Sequence, residues 1–90
     1  MPTIHIHILG DVQGVFFRAT AKEIADKYSL TGWIKNTKEG DVEAVVDGDT
    51  RSLGKFIEWC KQGPEKANVT NVTVTNIPQT SFNGFSIIRH

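Results

Sequence analysis

The chain has 90 residues, 39% of them apolar, and its ten basic and ten acidic side chains cancel. A chain of this length buries one core, so residues 1–90 read as a single domain with an expected stability of about 5–13 kcal/mol. Balanced charge gives no basic field for nucleic acid, no apolar run approaches the roughly 20 residues of a membrane span, and the single Cys60 cannot form an internal disulfide.

Thr3 to Leu9 alternates Ile4, Ile6 and Ile8 with His5 and His7, the period of a strand buried on one face. The segment Gly10 to Arg18 then leads into a helix from Phe17 to Tyr28, where Phe17, Ala21, Ile24, Ala25 and Tyr28 form one apolar stripe. Thr31 to Thr37 and Val42 to Val46 are β-rich and flank Lys38-Glu39-Gly40-Asp41, which predicts a hairpin. Asp49 or Thr50 caps a second helix with the stripe Leu53, Phe56, Ile57 and Cys60; Gly54 weakens it and Gly63-Pro64 ends it. Val69 to Ile77 is rich in valine and threonine, with Val72 and Val74 on one face. The Asn83-Gly84 turn leads into a short last strand, Phe85 to Ile88. The order β-α-β-β-α-β with a small addition predicts an α+β, ferredoxin-like split βαβ sandwich, an antiparallel sheet with two helices on one face.

A right-handed crossover makes the first two strands parallel, so their carboxyl ends meet at one edge of the sheet. Asn36 lies two residues after Ile34 and shares its face. Between the first strand and helix, Gly14 allows backbone conformations closed to other residues, so successive amides can converge beside a helix N-terminus and bind an anion. Arg18, in the first helical turn, is where a lone cation is mildly unfavourable, a misfit that a bound anion removes. Its guanidinium pairs two phosphoryl oxygens in one plane. The loop lacks the Gly-Lys-Ser/Thr ending of a nucleotide-binding loop, and no acidic cluster for a metal is evident.

Val12-Gln13-Gly14-Val15 followed by Phe17-Arg18, and Gly32-Trp33-Ile34-Lys35-Asn36 followed by Gly40-Asp41-Val42-Glu43, resemble the two signatures of the acylphosphatase family. The resemblance covers essentially the whole chain. It implies hydrolysis of the carboxyl-phosphate bond of an acyl phosphate to carboxylate and inorganic phosphate, with no metal, no cofactor and no phosphoenzyme. It implies a phosphate-binding loop of Val12, Gln13, Gly14, Val15, Phe16, Phe17 and Arg18, with Arg18 catalytic and a catalytic Asn36 that positions the attacking water. The expected partners are a small-molecule acyl phosphate and inorganic phosphate, as product and weak competitive ligand, with no nucleic acid and no membrane. The N-terminus carries no export signal, so a cytoplasmic monomer is expected. Asp11 departs from the basic or small residue often found at that loop position. At ~8 Å its charge would oppose a phosphoryl dianion by about 0.5–2 kcal/mol.

Each of these residues also has an ordinary reading. A glycine-bearing loop with an arginine is commonly a plain strand-to-helix turn, and an asparagine at a strand end a turn residue. His5 and His7 share a face and could ligate a metal, but no third ligand is evident, which favours open-face sheet residues. Trp33 lies on that face or packs at its edge, and Cys60 on the apolar helix stripe reads as an inert buried thiol. The rival from another class is a non-catalytic ferredoxin-like binding module. An RNA-binding version needs exposed aromatic and basic residues where this chain has His5, His7 and Glu43, and a metal carrier needs a Cys-x-x-Cys loop. An anion-binding domain that has lost turnover would keep the same residues.

Overall fold

The computed structural model describes residues 1–89. In chain order the elements are β1 (Thr3–Asp11), α1 (Phe17–Lys27), β2 (Thr31–Asn36), β3 (Val42–Asp47), α2 (Thr50–Gln62), β4 (Asn68–Ile77) and β5 (Phe85–Ile88). The alternation in β1 works as expected: Ile4, Ile6 and Ile8 are at most 4% exposed and pack with Ile34, Val42, Ala44 and Val46 of the neighbouring strands. The stripes of the two helices, Phe17, Ala21 and Ala25 with Leu53, Phe56 and Cys60, close over this face and complete the core.

The strands lie in the order β4-β1-β3-β2-β5. β1 and β2 each pair antiparallel with β3 between them, so they run in the same direction and end at the same edge. β4 pairs antiparallel with β1. The small addition, β5, pairs parallel with β2, so the complete sheet is mixed around an antiparallel split βαβ core.

Several boundaries differ from the sequence expectation. β1 continues past Leu9 to Asp11, across a register shift against β4 between Leu9 and Gly10. Gly10 makes this possible: at its φ of 131° a Cβ would lie 2.0 Å from the Asn68 carbonyl oxygen. The connection to α1 therefore shrinks to five residues, and Asp11 belongs to a strand rather than to the loop. α1 stops at Lys27, where Tyr28 caps it, and β2 stops at Asn36 because Thr37 turns to close the hairpin, its N–H donating to the Asp41 carbonyl at 2.9 Å. Of the two candidate caps for α2, Asp49 takes the position, and its carboxylate accepts the Ser52 N–H at 2.9 Å.

Phe56 is fully buried between Trp59, 6.3 Å away between ring centroids, and Phe85, 6.0 Å away. Phe56→Ala is expected to lower unfolding free energy by about 3–5 kcal/mol, a large share of the total for a domain this small. Urea unfolding followed by tryptophan fluorescence measures the loss.

Candidate active site

Five residues must turn the chain from the end of β1 into α1, and two of them take left-handed backbone: Gly14 at φ 74° and Phe16 at φ 63°, ψ 23°. Phe16 occupies the N-cap position, where serine or aspartate would normally cover the first amides, and its side chain has no oxygen with which to do so. The first turn of α1 contains no acidic residue. Among the described residues, no protein group accepts a hydrogen bond from the backbone N–H groups of Gly14 through Ala19. A short arc of free donors thus faces outward at the positive end of a helix.

Arg18 stands at this arc, half-buried, and forms no ion pair among the described residues. Across the sheet edge, Asn36 ends β2 on the same face as the buried Ile34. Its Oδ1 is buried and accepts no hydrogen bond among the described residues, a state that is costly for a polar atom unless a ligand or water completes it. Arg18 and Asn36 line one open cleft of about 920 Å³, with His7, Lys35, Thr37 and Arg89 among its other walls. A second cavity of about 420 Å³ adjoins Arg18, lined also by Val12, Gly14, Phe16, Phe17, Ala19 and Arg89. Arg18 is a wall of both.

Of the loop residues expected at the site, Val12, Gly14, Phe16, Phe17 and Arg18 border these cavities, while Val15 packs against the core. Asp11 borders neither cavity. Gln13 has a different task. Its Nε2 donates to the carbonyls of Thr37 at 2.9 Å and Asp41 at 2.8 Å, tying the loop to the turn that immediately follows Asn36. That turn is stiffened further by the Asp41 N–H donating to Thr37 Oγ1 at 3.1 Å. Nothing local in the sequence marks this tether, because the partners of Gln13 are 24 and 28 residues away.

The open face of the sheet carries charge pairs. His5 Nε2 donates to Glu43 at 2.9 Å, His7 Nε2 to Asp41 at 3.0 Å, and Lys35 pairs with Glu43 at 3.2 Å while its ammonium sits 5.4 Å from the centre of the Trp33 ring. Among the described residues no three His, Cys, Asp or Glu side chains converge as metal ligands. Burial raises the Cys60 thiol far above its ordinary pKa, which keeps it protonated and unreactive.

Glu43 is held below its ordinary pKa of 4.5, first by the His5 hydrogen bond and also by Lys35, with burial opposing. The unfolded chain therefore binds the proton more readily, and the stability this carboxylate contributes is present above pH 4.5 and lost as pH falls through the lower, folded value. In Glu43→Gln the unfolding free energy should fall less steeply with pH below 4.5 than in the wild type, as denaturant titrations at successive pH values would show.

Comparison with known proteins places the whole chain in one family. The acylphosphatase family model matches residues 4–87. An acylphosphatase of Methylococcus capsulatus is 39% identical over 90 residues, covering 99% of this chain and 98% of its own. One from Pelotomaculum thermopropionicum is 43% identical over 84 residues, covering 92% and 91%. The crystal structure of acylphosphatase from Bacillus subtilis superimposes with a TM-score of 0.95 at 37% identity, over 99% of this chain and all of that one. A stretch amounting to 12% of full-length HypF, solved in its phosphate- and nucleotide-bound form, matches 98% of this chain with a TM-score of 0.84 at 27% identity. With the family model matching residues 4–87, relatives about 40% identical over nearly the whole length and a superimposable fold, the chain belongs to the acylphosphatase family.

Proposed function

We propose that the chain hydrolyses acyl phosphates with the phosphoryl group held by Arg18 and the free amides of the loop, and with the attacking water held by Asn36. The observation that carries this assignment is the convergence of uncommitted groups: Arg18, with no ion pair among the described residues, and Asn36, whose carboxamide oxygen has no partner among them, line the same cleft. The Asn36 carboxamide hydrogen-bonds the water and directs the water's lone pair at phosphorus. As the new P–O bond forms, the bond to the acyl oxygen breaks, the carboxylate leaves with that electron pair, and the water proton passes to solvent. A carboxylate, with a conjugate-acid pKa of roughly 4, leaves without a protonating partner, so no general acid is required. Negative charge gathers on the phosphoryl and leaving oxygens, where donors fixed beforehand act most strongly.

Every group named comes from one chain, which supports action as a monomer, and the free buried Cys60 fits the cytoplasm. Inorganic phosphate, matching the oxygens that Arg18 and the amides hold, acts as a weak competitive inhibitor. Purified protein should hydrolyse benzoyl phosphate well above its spontaneous rate, act weakly on p-nitrophenyl phosphate, and keep its rate in excess chelator. Only spontaneous breakdown of benzoyl phosphate would instead mark an anion-binding domain without turnover.

A further inference from the structure

In an in-line displacement the entering water and the leaving oxygen stand on opposite sides of phosphorus. Asn36 borders only the larger cleft, Phe16 only the smaller cavity, and Arg18 and Arg89 both. With phosphorus at Arg18 and water on the side of Asn36, the acyl group leaves from the side of the smaller cavity. There Phe16 is 77% exposed, an unusual state for phenylalanine, and it is held on left-handed backbone that disfavours a bulky side chain. The core does not need this ring, since the neighbouring Phe17 is 2% exposed and fills that role. Beside it, Gly14 leaves open space where a side chain would begin, and Ala19 presents only a methyl group. The cavity of about 420 Å³ is much larger than an acetyl group requires.

Building on the assignment of Arg18 and Asn36 above, we infer that the Phe16 ring is the acyl-group contact and that this enzyme favours acyl phosphates whose acyl part is apolar and ring-sized over acetyl phosphate. Phosphonates test this without turnover, because phenylphosphonate and methylphosphonate offer the same anion with and without a ring. By competition or calorimetry the wild type should bind phenylphosphonate about 3–10-fold more tightly than methylphosphonate, the range an aromatic contact supplies. Phe16→Ala should bring that ratio close to one, and Phe16→Leu should keep part of it. The ratio of kcat/KM for benzoyl phosphate to that for acetyl phosphate should follow the same order. Equal affinities in the wild type, no measurable binding of either phosphonate, or a ratio that Phe16→Ala leaves unchanged would each overturn the inference. The wild-type comparison decides the matter even if a variant does not fold. A phosphonate preference found in a protein without turnover would support the contact while removing the hydrolytic mechanism.

Discussion

Arg18→Lys is expected to lower kcat/KM for benzoyl phosphate by about 10²–10³-fold, the scale of losing a fixed donor to a developing anion. The guanidinium presents a planar fork that spans two phosphoryl oxygens, whereas an ammonium is a compact point charge that holds one at a time. Position compounds the loss. Arg18 borders both cavities, as Arg89 does, and in the proposed mechanism it sets where phosphorus lies between the water and the leaving group. A shorter contact on a flexible stem leaves that position undefined. Steady-state rates and inhibition by inorganic phosphate should both weaken, because the ground state and the transition state use the same fork. A wild-type rate in Arg18→Lys would remove the residue from the mechanism.

Asn36→Ala should separate the two kinetic parameters: kcat falls by about 10²-fold while KM changes little. In the proposed mechanism the carboxamide holds the nucleophile and does not bind the phosphoryl group, so its loss leaves substrate affinity in place and attack poorly aligned. Stability provides the control. Asn36 Oδ1 is buried without a partner among the described residues, so its removal breaks no hydrogen bond among them and should leave urea unfolding close to wild type. A large rise in KM with kcat unchanged would assign Asn36 to substrate binding instead.

Much of the fold could be read from the chain because periodicity and turn chemistry are local signals. Ile4, Ile6 and Ile8 announce a strand with one buried face, and the Asn83-Gly84 turn fixes the start of β5 at Phe85. The meeting of Arg18 with Asn36 also followed from local facts, since crossover handedness and side-chain alternation bring the two elements to one edge. Other features depend on register, which no local pattern reveals. Gly10 looked like the start of a loop, yet it is the point at which β1 slips against β4. His7 could be placed on the open face, but its partner Asp41 emerges only once β1 and β3 are aligned. The left-handed backbone at Phe16 was equally hidden, because composition marks that conformation only where glycine or asparagine occupies it.

The Gln13 side chain spans from the loop to two carbonyls of the β2–β3 turn, so these segments, remote in sequence, behave as one mechanical piece. An anion that steadies the amides of residues 14–19 also steadies the backbone around Thr37 and Asp41, and a disturbance of that turn loosens the grip on the anion. Amide hydrogen exchange in the two segments should therefore slow together when phosphate is added, with the turn gaining protection although it supplies none of the anion's donors.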